Sequence, residues 1–407
     1  MASHAPLQGL GDAPKTGVDP GRLRALDGLR GFCAVLVCLF HFPAAGPLAQ
    51  SALVRGGWLC VDFFFVLSGF VIAAGWGGRL NAPADLHRFL ALRLARIWPL
   101  HIVMLLLFLA TELLGAALAD AGIMRRSAFG AGFGMADWGL SALLLNCFGY
   151  TGGPVWNVPA WSIAAEYWSW VIFGLAWVWG GPQRLWLVAG LGLLAWALMG
   201  ADGGGMVRTW DTGLLRAVCG FFMGVVVHAL SQRAGQAPGF GTRAAMARAT
   251  AIETGAAMLA LLFIAAAPPA PANLAAPLVF GLAVHVFARE AGWISRLLMT
   301  PLLLRLGLLS SALYISHAFV QARFGDVLGL LPRIVRGMPA LTVQTSGGEV
   351  FGRSAGEGTM LSLLMLGLAI TVAHFAGRMV EEPMRRWARG RWASRPWSPA
   401  RLVTAER

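Results

Sequence analysis

Apolar runs of about 20 residues recur between residues 29 and 380, and in a bilayer a run of that length has one folding solution. Across a hydrocarbon layer about 30 Å thick every backbone N–H and C=O must be paired within the protein, and a helix rising 1.5 Å per residue does so over about 20 residues. Ten such runs are read, near 29 to 49, 56 to 76, 97 to 119, 160 to 180, 183 to 200, 213 to 231, 250 to 267, 273 to 290, 301 to 321 and 359 to 380. A further stretch, 137 to 149, is apolar but too short to cross and is expected to be re-entrant. The expected fold class is therefore all-α, a polytopic transmembrane helix bundle of about 10 spans, with one membrane domain over 29 to 380. Residues 1 to 28 read as a short cytoplasmic lead rather than a signal peptide, and 381 to 407 as a basic cytoplasmic tail.

Composition agrees: 57% of the 407 residues are hydrophobic and 13% charged, which excludes an ordinary water-soluble domain. A net charge of +13 raises the question of nucleic acid. The basic residues, however, lie mostly in short loops between apolar runs, where the positive-inside rule places them, so the bilayer and not nucleic acid is the expected partner. An even number of spans then puts both termini in the cytoplasm, as expected for a multi-pass protein of a bacterial-type inner membrane. Cys33, Cys38, Cys60, Cys147 and Cys219 sit in apolar stretches without metal-ligand spacing; they read as packing residues, and no metal is expected.

Polar residues inside the apolar runs carry the functional signal. Arg30 and His41 are 11 positions apart, close to three helical turns, so they leave one face about 16 Å apart. An ionisable group within a span costs about 2 to 3 kcal/mol and usually faces a cavity or a partner. At 1.5 Å per residue, His41 is expected about 18 Å above the inner end of its span, with Asp62, Glu166, Tyr314 and His317 at similar height. This predicts a polar chamber open to the outside. On the inner side, 85 to 99 reads as an amphipathic helix lying along the interface, with Arg93 and Arg96 on one face. Together with Arg30 they are candidates for a pocket that takes a phosphorylated ligand, since guanidinium forks match phosphate geometry. Positive-inside flanking explains each of these three arginines equally well.

Five elements in order resemble one family: Leu26-Asp27-Gly28-Leu29-Arg30-Gly31 with His41, then Val61-Asp62-Phe63-Phe64-Phe65-Val66-Leu67-Ser68-Gly69-Phe70, Arg93-x-x-Arg96, Trp161-Ser162-Ile163-Ala164-Ala165-Glu166, and Tyr314 with His317. Arg216 followed by Phe221, Phe222 and Gly224, and the closing Glu381-Glu382-Pro383, add to the likeness. The pattern resembles the acyltransferase-3 family of integral membrane acyltransferases, in its form without a fused soluble esterase-like domain. Ser316 and Val218-Cys219 depart from it, where a bulkier residue and a proline are common in the family.

The resemblance implies transfer of an acyl group, most often acetyl, from cytoplasmic acyl-CoA to a hydroxyl of a surface or exported glycan. It implies His41 as the catalytic residue and Arg30, Arg93 and Arg96 as holders of the acyl-CoA phosphates. A neutral imidazole suits the role of base toward an alcohol, and a carboxylate on its other nitrogen would fix the tautomer. Asp62, in the adjacent span, is the preferred partner and Glu166 the other. Either direct transfer or an acyl-histidine is compatible with this set. Ser68, Trp161, Arg216, Tyr314 and His317 are assigned to substrate binding, with Arg216, Ser68 or Trp161 as candidates to stabilise the oxyanion. The rival reading is a secondary transporter or lipid-linked glycan flippase in which His41, Asp62 and Glu166 relay protons.

Overall fold

The computed structural model describes residues 23–120, 129–233, 242–345 and 348–393. Most of the expected lead and the last part of the expected tail therefore lie outside the described residues. The ten apolar runs appear as helices α1 (Arg24–Phe40), α2 (Cys60–Trp76), α3 (Pro83–Asp120), α5 (Ala160–Trp179), α6 (Arg184–Ala201), α7 (Gly213–Arg233), α8 (Arg243–Ala266), α9 (Ala276–Phe287), α10 (Pro301–Ile334) and α11 (Ala355–Ala376). Between α3 and α5 lies the short α4 (Met135–Ala142), and α12 (Glu382–Ala393) follows α11. Among the described residues seven helices are long and apolar enough to cross a bilayer: α2, α3, α6, α7, α8, α10, and α11 running on into α12. The protein is thus an all-α polytopic membrane protein, apart from one hairpin.

Helix boundaries differ from the expected ones in two places that matter. α1 starts before residue 29 and stops at Phe40, leaving His41 as its C-cap instead of deep within a helix. Pro43 accounts for the stop, since it disfavours helical backbone at the residue before it and has no N–H to donate. Second, 85 to 99 is not a separate interfacial helix. It is continuous with the following run in α3, whose 38 residues extend about 57 Å, nearly twice the hydrocarbon thickness. Pro99 falls inside this helix without ending it. Hydrogen bonds on either side of it fasten the helix to α4: Trp98 Nε1 donates to the Ala142 carbonyl and His101 Nε2 to the Ser141 carbonyl, each at 2.9 Å.

Two close helix pairs frame the interior. α1 lies against α10 where Gly31 meets the backbone of Leu306 and Gly307, and Gly307 in turn meets the carbonyl of Asp27. α2 lies against α7 where Gly69 and Gly224 admit the backbones of Phe221 and Val66. A Cβ at any of these positions would collide with main chain, and small residues are how membrane helices come this close. Strands β1 (Thr342–Thr345) and β2 (Gly348–Phe351) form an antiparallel hairpin in which Thr342 is opposite Phe351. Its last residue is tied to the segment after His41: Phe351 N donates to the Pro43 carbonyl at 2.9 Å, Ala45 N donates to the Phe351 carbonyl at 2.8 Å, and the Phe42 and Phe351 rings stack at 4.8 Å.

Candidate active site

α1, α2, α3, α5 and α10 converge on a cavity of about 140 Å³, lined on its polar side by Arg30, Arg93, Arg96, Ser68, Glu166 and Tyr314. Arg30 is held across the α1–α10 contact: its Nε donates to Ser310 Oγ at 2.7 Å and its Nη2 to the Gly307 carbonyl at 2.6 Å, with Asp27 3.5 Å away. Arg93 sits in an aromatic cage, its guanidinium 5.3 Å from the Trp76 ring, 5.6 Å from Trp170 and 6.0 Å from Phe89. Such rings hold a cation by their quadrupole without neutralising it.

Glu166 is the one carboxylate of the cavity lining. Ser68 Oγ donates to it at 2.5 Å, and Trp170 Nε1 donates to the same Ser68 oxygen at 3.2 Å. The charges of Arg96, Arg93 and Arg30 all act on Glu166, yet among the described residues none closes an ion pair with it. Three guanidinium groups thus face one carboxylate, and the lining carries an excess of positive charge.

Tyr314 forms the wall between this cavity and a pair of histidines. Its hydroxyl meets Ser162 Oγ at 2.6 Å, and its ring packs edge-on against Phe64 at 5.8 Å and His317 at 5.7 Å. Behind it, the His317 and His41 rings lie 5.0 Å apart. His41 Nδ1 is 2.9 Å from the Val37 carbonyl and His317 Nδ1 is 2.8 Å from the Tyr314 carbonyl. A carbonyl only accepts, so each Nδ1 carries the proton and each Nε2 keeps its lone pair. His317 is buried, and its Nε2 has no hydrogen-bond partner among the described residues.

Asp62 is elsewhere. Its two oxygens accept from Arg216 Nε and Nη2, each at 2.8 Å, and Nη2 and Nη1 also donate to the carbonyls of Trp58 and Arg208, each at 3.1 Å. The Trp58 and Trp161 rings cover the guanidinium at 5.3 and 5.5 Å, leaving both members of the pair almost wholly buried. Asp62 therefore orients Arg216 and not His41, and Arg216 spends four of its five N–H donors on Asp62 and two backbone carbonyls. Trp161 is buried over the same pair, and Ser68 is committed to Glu166. Glu166 itself shares the cavity with the arginines, and the tautomer of His41 is set by a backbone carbonyl and not by a carboxylate. Outside the spans, Arg208 pairs with Asp202 and Asp211, and its hydrogen bond holds the Asp202 carboxyl below the usual carboxylate range.

Some participants had no signal in the sequence. Trp76 and Trp170 lie in apolar runs where an aromatic reads as lipid-facing, yet they cage Arg93. Asn157, buried just ahead of α5, donates to the Ile315 carbonyl at 2.9 Å and so ties that loop to the helix of Tyr314 and His317.

A family model described as an acyltransferase domain matches residues 23–374. The chain belongs to this acyltransferase family. Among curated relatives it is 28% identical to a peptidoglycan O-acetyltransferase of Listeria monocytogenes over 187 residues, covering 42% of this chain and 28% of the relative. A putative peptidoglycan O-acetyltransferase of Bacillus subtilis is also 28% identical, over 179 residues, with 42% of this chain and 26% of that protein covered. "Protein 2 in picA locus" of Rhizobium radiobacter is 36% identical over 95 residues, 22% of this chain and 46% of that protein. The chain thus spans less than half the length of these relatives. No solved structure matches it.

Proposed function

We propose that this protein is a membrane O-acyltransferase that moves an acyl group, acetyl in the simplest case, from cytoplasmic acyl-CoA to a hydroxyl of a cell-envelope glycan. One observation carries the reading. An arginine-rich cavity shares the wall residue Tyr314 with the pair formed by half-buried His41 and buried His317, so an anionic donor and an imidazole with an available Nε2 lie on either side of one side chain. Family membership supplies the reaction class, and the names of two relatives favour a glycan acceptor. In this reading the ten helices make ten crossings of a bacterial inner membrane with both termini in the cytoplasm, and the arginines mark the donor side.

The proposed step is balanced within the chain. Arg30, Arg93 and Arg96 hold the phosphates of the donor while its thioester reaches past Tyr314. His41 Nε2 takes the proton of the acceptor hydroxyl as its oxygen bonds to the acyl carbon. The carbon–sulfur bond then breaks, and the same proton goes to the departing thiolate. A positioned base of this kind contributes about 10² to 10⁴ in rate. The Val37 carbonyl supplies the orientation that the sequence reading sought in a carboxylate.

The test is mass spectrometry of the envelope glycan from a deletion strain complemented with wild type or His41→Ala, at matched membrane levels. Wild type is expected to restore an acyl mass and the variant to leave it absent. Equal restoration by both would remove His41 from the chemistry.

A further inference from the structure

α12 lies beyond the stretch matched by the family, yet it packs against the first half of α3. Trp392 meets the His87 ring of α3 edge-on at 5.4 Å, and Ala388 is buried. Arg385, Ala388 and Trp392 follow a spacing of three and four, so they share the face of α12 that is turned to α3. That face brings Arg385 to the arginines of the cavity: its charge acts on Arg96 and on Arg93. Arg96 lines the cavity and has no ion pair among the described residues, while Arg385 has only Glu381 at 3.6 Å. Arg386, its neighbour, points away; it is 67% exposed and pairs with Glu382 at 3.2 Å.

Two guanidinium groups of α3 therefore line the cavity, and a third, from α12, stands close enough for its charge to act on both, with Glu381 as its ion-pair partner among the described residues. Like charges this close repel, and an anion between them turns the repulsion into attraction. Guanidinium forks fit phosphate oxygens two at a time, which suits the gathering to a phosphate ester or diphosphate more than to a carboxylate. We infer that Arg385 completes, with Arg93 and Arg96, a phosphate-binding mouth to the cavity, and that α12 grips the phosphorylated nucleotide end of the donor. This rests on the reading that the donor is acyl-CoA. An acyl chain and pantetheine arm entering the cavity would leave the nucleotide phosphates at its edge, where α12 stands.

The test is the affinity of full-length protein in zwitterionic-lipid nanodiscs for CoA and for pantetheine, with wild type, Arg385→Gln, Arg385→Lys and Arg386→Gln. Loss of a charge-assisted contact is worth about tenfold or more in affinity. Arg385→Gln is expected to weaken CoA by that factor and leave pantetheine unchanged. Arg385→Lys, which keeps the charge but loses the fork, should fall between and covers the case of a poorly folded glutamine variant. Arg386→Gln should match wild type. The inference is overturned if wild type binds CoA and both Arg385 variants bind it equally well, or if Arg386→Gln weakens it as much as Arg385→Gln does. A lipid phosphate as the true ligand would show as unchanged CoA affinity together with loss of co-purifying phosphatidylglycerol in Arg385→Gln. If wild type itself fails to bind CoA, the acyl-CoA reading falls first.

Discussion

Two sets of arginine and carboxylate lie inside this membrane protein, and they are built in opposite ways. In the first, Asp62 and Arg216 meet in two bonds of 2.8 Å, two backbone carbonyls take two more of the arginine's donors, and two tryptophan rings exclude water. In the second, Arg30, Arg93 and Arg96 face Glu166 across a cavity, and the carboxylate takes its hydrogen bond from a serine. A pair buried and bonded in this way serves to lock α2 to α7. An open set with surplus positive charge is costly to keep in the membrane unless an anion visits it. Burial and pairing together separate structural from functional charge here: Asp62 and Arg216 are almost wholly buried in a bidentate pair, whereas Arg30, Arg93, Arg96 and Glu166 are half-buried and no arginine of the set closes an ion pair with Glu166 among the described residues.

The sharpest test of this contrast is to break the closed pair. Asp62→Asn leaves a buried guanidinium uncompensated, which typically costs about 3 to 5 kcal/mol, and thermal unfolding in detergent should report it together with a fall in membrane abundance. Arg93→Gln should behave in the opposite sense. Removing a cation that has rings but no counter-ion should leave the unfolding temperature unchanged or raised, while donor affinity drops by about 10- to 100-fold, the equivalent of one charge-assisted contact. If Arg93→Gln unfolds as Asp62→Asn does, the two sets are alike and the contrast fails. Ser68→Ala sharpens it further: Glu166 loses its one hydrogen bond, at a cost of about 1 kcal/mol seen in unfolding, and donor affinity changes only a few-fold. The smallest effect is expected from Arg353→Gln, which removes an exposed i,i+4 pair with Glu357 worth about 0.3 to 0.5 kcal/mol, with acyl transfer unchanged.

The same contrast shows what a sequence can and cannot disclose in such a protein. Apolar runs place helices well because hydrocarbon thickness and helix rise leave little choice, as α2, α7 and α8 illustrate. Helix ends depend on local chemistry that competes with the apolar signal: Pro43 ends α1 early, whereas Pro99 does not stop α3. Depth arithmetic puts Asp62, Glu166 and His317 near the level of His41 but says nothing of azimuth. His317 turns toward His41, and their rings lie 5.0 Å apart. Asp62 turns to α7 and finds Arg216, 154 positions along the chain. Glu166 turns to Ser68 of α2 and to the arginines of the cavity. Which neighbour a helix face meets is set by tertiary packing, here by the glycine contacts of α1 with α10 and α2 with α7, and no periodicity within one helix records it.

The most direct measurement is transfer of radiolabelled acetyl from acetyl-CoA to a glycan fragment by purified protein in nanodiscs, comparing wild type with His41→Ala while CoA affinity is measured on the same samples. The account predicts that both bind CoA equally and that the variant transfers about 10² to 10⁴ times more slowly. Equal transfer rates, or a wild-type protein indifferent to CoA, would contradict it.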